Sequence, residues 1–83
     1  MHTAAKIIDL LSKRGPEASI CPSDVASALI DDEMAWRAEM PAVREAAAAL
    51  ARSGRIVITQ GDQHIDLHEA YRGSVRLRRG PAF

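Results

Sequence analysis

The spacing of apolar residues changes at Gly54, and that change restricts the chain to folds in which a helix runs directly into a strand. Before it, Val43, Ala46, Ala47 and Leu50 recur at the i, i+3, i+4 and i+7 positions of one helical face. Arg44, Ala48 and Arg52 run up the opposite side. Pro41 suits the start of this helix and Gly54 its C-cap, where a left-handed residue closes the last turn. The next six residues, Arg55-Ile56-Val57-Ile58-Thr59-Gln60, are rich in β-branched side chains and predict a strand.

The same reading locates two earlier helices. Thr3 is a candidate N-cap for a helix over residues 4–14, with Ala4, Ile7, Ile8 and Leu11 on one face, and Gly15-Pro16 stops it. Pro22, Ser23 and Asp24 open a second helix over residues 22–30, which buries Val25, Ala26 and Leu29. Ala18-Ser19-Ile20-Cys21 between them is a short strand or an extended connector, because Pro22 disfavours helical dihedrals at Cys21. Asp31-Asp32-Glu33 interrupts the pattern, and Met34, Trp36 and Met40 return at a spacing that a loose helical turn buries. Val75-Arg76-Leu77-Arg78-Arg79 alternates apolar and basic, as a half-buried strand does, leaving residues 61–74 as a long loop between two paired strands. The expected architecture is therefore α+β. It is a winged helix-turn-helix of three helices followed by a β-hairpin wing, with a short extra strand between helices one and two, forming one domain over residues 1–83. Its core is expected to join Ile7, Leu11, Val25, Leu29, Val43, Ala47, Leu50, Ile56, Ile58 and Leu77.

Composition narrows the setting. Cys21 is the only cysteine, so no internal disulfide forms and a four-ligand zinc knuckle is excluded; a reducing, cytoplasmic location fits. The longest apolar run, Ala46 to Ala51, falls far short of the roughly 20 residues that span a bilayer, and no secretory leader pattern opens the chain. The formal net charge is zero, but the sign is unevenly distributed. Residues 1–50 carry five Lys/Arg against eight Asp/Glu, and residues 51–83 carry six against three. An anionic partner near the C-terminal part fits this asymmetry, whereas a dedicated DNA binder of this size is usually basic overall.

Several segments together carry a family resemblance. They are Ile20-Cys21-Pro22-Ser23-Asp24-Val25-Ala26, Trp36-Arg37 with Met40-Pro41-Ala42-Val43-Arg44, Ser53-Gly54-Arg55-Ile56 with Ile58-Thr59-Gln60, and Arg72-Gly73 with Val75-Arg76-Leu77. Over about residues 20–80 the chain resembles bacterial winged-helix proteins of the domain of unknown function family 3253. The resemblance implies the winged-helix fold and carries no activity.

Five arginines are the candidate nucleic-acid contacts. Arg44 and Arg52 lie on the third helix, the recognition helix of such a fold, where side chains reach base edges. Arg76 and Arg78 share one face of the last strand with Arg79 at its end, placed to grip phosphates. Each set has a plainer reading: an alanine-rich packing helix with a solvated edge, and an edge strand protected by charge from aggregation. Asp62, Asp66 and Glu69 make the loop acidic against Arg72, which disfavours phosphate unless His64 and His68 are protonated. His64 and His68 with Asp66 or Glu69 form the nearest approach to a metal site, but a loop and the lack of a third strong ligand argue against metal. Cys21 reads as a small packing residue rather than a reactive thiol, and Trp36 as a core closure or, if exposed, a partner's anchor. No nucleophile–base pair or phosphate loop can be assembled, so the chain is expected to be neither an enzyme nor a cofactor binder. Two functions remain. One is a module that binds double-stranded DNA, acting as a dimer. The other is a protein-interaction or scaffold domain using Asp31-Asp32-Glu33 or the surroundings of Trp36.

Overall fold

A computed structural model of the chain describes residues 3–61, 63–65 and 75–83. Among them the order is α1 (Thr3–Ser12), β1 (Ser19–Ile20), α2 (Pro22–Leu29), α3 (Glu33–Ala38), α4 (Met40–Arg52), β2 (Ile56–Gln60), β3 (Gln63–His64) and β4 (Arg76–Arg79). The protein is a mixed α+β structure of four helices and a small antiparallel sheet of strand order β1-β4-β2-β3.

Two elements differ from the sequence reading. The segment after α2 forms a helix of its own, so four helices are described rather than three, and the predicted third helix is α4. Asp32 makes this possible. Its Oδ1 accepts from the backbone N–H of Met34 at 2.9 Å and of Ala35 at 3.2 Å, satisfying two donors that a helix start leaves orphaned. What looks in sequence like a charged break is a helix cap. Replacing Asp32 with Ala is expected to cost about 1 kcal/mol, while Asn retains most of the cap. Thermal melts check this, with the Ala variant falling by about 4–8 °C.

The second difference lies after Gly61. Gln63 and His64 pair with β2 at Gln60 and Thr59, so the start of the expected loop is a strand returning along the edge of the sheet. Gly61 allows the reversal through a positive φ of 62°. Asp62, Asp66, His68, Glu69 and Arg72 lie outside the described residues, so the acidic loop and the second histidine of the predicted pair do too. Smaller shifts occur at α1, which ends at Ser12, and at Thr3, which is buried at the helix's first described position rather than standing before it.

The core joins both layers. Ile7 and Leu11 of α1, Val25 and Ala26 of α2, and Val43, Ala47 and Leu50 of α4 meet Ile20, Ile56, Ile58, Val75 and Leu77. Leu29 and Trp36 pack against this cluster from its margin while remaining partly exposed. The sheet register explains the division of faces. Ile20, Leu77 and Ile58 lie abreast and point inward, whereas Arg76 lies abreast of Thr59 and His64, and Arg78 abreast of Ser19 and Val57, on the other face.

Candidate nucleic-acid interface

The five candidate arginines of the sequence reading lie on α4 and β4. Because Val43, Ala47 and Leu50 are buried, α4 turns Pro41, Arg44, Glu45, Ala49 and Arg52 to the surface. Arg44 and Arg52 are two helical turns apart, about 12 Å along the axis. Both are exposed, and each already interacts with another group of the protein, so neither is an unengaged cation. Glu45 stands on the exposed side near them and opposes phosphate while leaving an acceptor for a base amino group.

The three arginines of β4 are each engaged within the fold. Arg76 donates through Nε to Ser19 Oγ at 2.9 Å, through Nη1 to Cys21 Sγ at 3.3 Å and through Nη2 to the Ser19 carbonyl at 2.9 Å. Arg78 donates from Nη1 to the Glu17 carbonyl at 3.1 Å. Arg79, on the inward side of the strand, donates from Nη2 to the carbonyls of Leu11 and Arg14 at 3.2 and 2.9 Å. There it meets the C-terminal end of α1, where a cation is favoured by the unsatisfied carbonyls. Its guanidinium carbon lies 4.6 Å from the centroid of the Phe83 ring, so the last residue covers it. Nε of Arg79 is buried without a hydrogen-bond partner among the described residues. Arg76, Arg78 and Arg79 thus link β4 to α1, the segment after it, β1 and the start of α2, whereas Arg44 and Arg52 belong to α4.

Two surface features stand outside the five arginines. Met34 is 84% exposed on α3, beside an ion pair of Glu33 Oε1 and Arg37 Nη2 at 3.0 Å that contributes little in open solvent. Arg37 also lies over Trp36, 5.6 Å from its ring centroid. An open groove of about 320 Å³ is lined by Ala4, Ala5 and Ile8 of α1 with Leu50 and Arg55. Neither Met34 nor Arg55 was legible as a surface feature, because Met34 matches the apolar pattern and Arg55 reads as the first residue of a strand.

Cys21 is half-buried at the N-cap of α2, where its N–H donates to Asp24 Oδ2 at 2.9 Å. Among the described residues no group of three or more His, Cys, Asp or Glu could hold a metal ion, and no helix is long and apolar enough to cross a membrane. Comparison with curated proteins finds no match. A family model does match, over residues 1–80, which is nearly the whole chain. The chain therefore belongs to the family described as protein of unknown function (DUF3253).

Proposed function

We propose that the chain is a winged-helix module that binds double-stranded DNA through α4, without catalysis, in the reducing cytoplasm of a bacterium. The observation that carries this reading is topological. A helix, a short strand, a helix pair and α4 run into antiparallel strands, with β4 lying between β1 and β2 and the β2–β3 hairpin extending from the edge. That order supports the winged-helix reading, in which the helix before the hairpin enters the major groove. The exposed side of α4, with Arg44, Glu45 and Arg52 on it, supports the same assignment. Arg78, whose hydrogen bond to the Glu17 carbonyl lies at the surface, is the strand residue best able to reach a phosphate. The lone, half-buried Cys21 fits a compartment without disulfides.

Fluorescence anisotropy on mixed duplex DNA across a salt series tests this. Wild type is expected to bind with a steep log-log salt dependence, and each phosphate contact removed should lower the slope by about 0.9. Replacing Arg44 with Ala should cost about 1–3 kcal/mol on a preferred site and much less on random sequence. Absence of salt-dependent binding near 50 mM salt, where phosphate-driven association is strong, would sink the DNA reading. The protein-interaction reading would then take its place. Met34 favours it, being a large apolar side chain left exposed beside Asp31, Asp32 and Glu33.

A further inference from the structure

We infer that Arg76 is a positioning residue that fixes strand β4, and with it the β2–β3 hairpin, against the start of α2, rather than a phosphate ligand. The role in recognition rests on the DNA reading above; the tie itself is tested independently of it. Three nitrogens of one guanidinium converge on two residues of the β1–α2 junction, Ser19 and Cys21. The planar fork of arginine is what allows this, since its donors are held in a fixed geometry that a lysine ammonium does not reproduce.

The junction matters because Cys21 is the N-cap of α2, and α2 packs on α4. On its other side β4 pairs with β2 from Ile56 to Thr59, and β2 carries β3. Arg76 therefore joins the two bodies whose relative placement a winged helix must hold when a helix and a hairpin contact one duplex together. A β1 of only two residues gives the sheet little backbone pairing there, so the side-chain links bear more of the connection.

Three variants separate this role from a phosphate contact: Arg76→Ala, Arg76→Lys and Ser19→Ala. Ser19→Ala removes one acceptor of the guanidinium and leaves every charge in place. Amide hydrogen exchange at Ile20 and Leu77 is expected to accelerate in all three variants, by about tenfold or more in the Arg76 variants, as loss of hydrogen bonds from a charged donor implies. Lys should fail to restore protection. If Arg76→Lys exchanges like wild type, the tie is overturned whatever the protein binds. Duplex affinity, measured well below each variant's melting temperature, should fall roughly fivefold or more with the salt slope unchanged, even for Ser19→Ala. A slope lowered by about 0.9 in Arg76→Ala, with Ser19→Ala and Arg76→Lys binding as wild type, would make Arg76 a phosphate ligand and overturn the inference. Accelerated exchange in a protein that binds no duplex would sink the DNA reading, and with it the role in recognition, while leaving the tie in place.

Discussion

Replacing Leu77 with Ala is expected to lower stability by about 2–5 kcal/mol, enough to leave a large share of the protein unfolded at modest temperature. Leu77 has no exposed surface and sits on the middle strand of the three that cover the core, with Ile20 on one side and Ile58 on the other. Truncation there leaves a cavity with rigid walls, since β-branched neighbours held in a sheet have few rotamers with which to refill it. An 83-residue chain has about 4–12 kcal/mol of total stability by the usual per-residue scale, so the loss consumes much of it. Urea unfolding followed by circular dichroism gives the comparison. The midpoint should fall sharply with the slope m preserved, because the surface exposed on unfolding hardly changes. Leu50→Ala, at a site that retains some exposure on α4, should lie nearer the lower end of the range. An unchanged midpoint for Leu77→Ala would remove the strand from the core.

How much was legible in the sequence follows from how local each signal was. Gly54 is the clearest case. Its φ of 80° is the left-handed closure that a glycine after a helix announces, and both the helix before it and the strand after it lie within two residues of their expected limits. The alternation Val75-Arg76-Leu77-Arg78 likewise assigned the inward and outward faces of β4, as the burial of Val75 and Leu77 bears out. Helix α3 was legible only as a loose helical turn, because it buries no residue fully and spans only six positions. Its cap, Asp32, lies inside an acidic run that reads equally well as loop. Strand β3 is two exposed polar residues paired to a neighbour, and period-2 alternation has no meaning at that length.

The arginines show a different limit. Spacing correctly put Arg76 and Arg78 on one face, yet it said nothing of what each guanidinium reaches. Their partners are Ser19, Cys21 and Glu17, and those of Arg79 are Leu11 and Arg14, between 55 and 68 residues away in the chain. Such links depend on the assembled sheet, and only tertiary structure reveals them. The consequence for function is direct: charge counted along a strand overstates the charge available to a partner when the carbonyls at a helix end and a strand edge have already drawn it in. Arg44 and Arg52 on α4 were located more securely, because the buried face of that helix dictates where its other face points.

The largest single-residue effect outside the core is expected at Gly80, where Ala should destabilise by about 3 kcal/mol or more. The cause is distance rather than dihedral angle, since the positive φ values belong to Gly54 and Gly61. A Cβ built on Gly80 would collide with the Gly54 carbonyl oxygen and lie 2.9 Å from the Ile56 nitrogen and 3.0 Å from the Arg55 carbonyl carbon. All three are backbone atoms, so no rotamer change relieves the clash. The approach is held from both sides, because Gly80 N–H donates to the Arg55 carbonyl and Ala82 N–H to the Gly54 carbonyl, each at 2.9 Å. Relief therefore requires the C-terminal turn to move away from the α4–β2 corner. That movement would draw Phe83 from Arg79 and loosen the cap on α1 as well. Gly15 is the matched control: an added Cβ there meets nothing within 4 Å, and its φ is not positive, so Gly15→Ala should stay within about 0.5 kcal/mol of wild type. Differential scanning calorimetry on the pair should show Gly80→Ala melting lower by roughly 10 °C or more and Gly15→Ala almost unmoved. Equal melting temperatures would mean that the C-terminal turn does not lie on that corner in solution, and that the cap Arg79 provides to α1 is held by β4 alone.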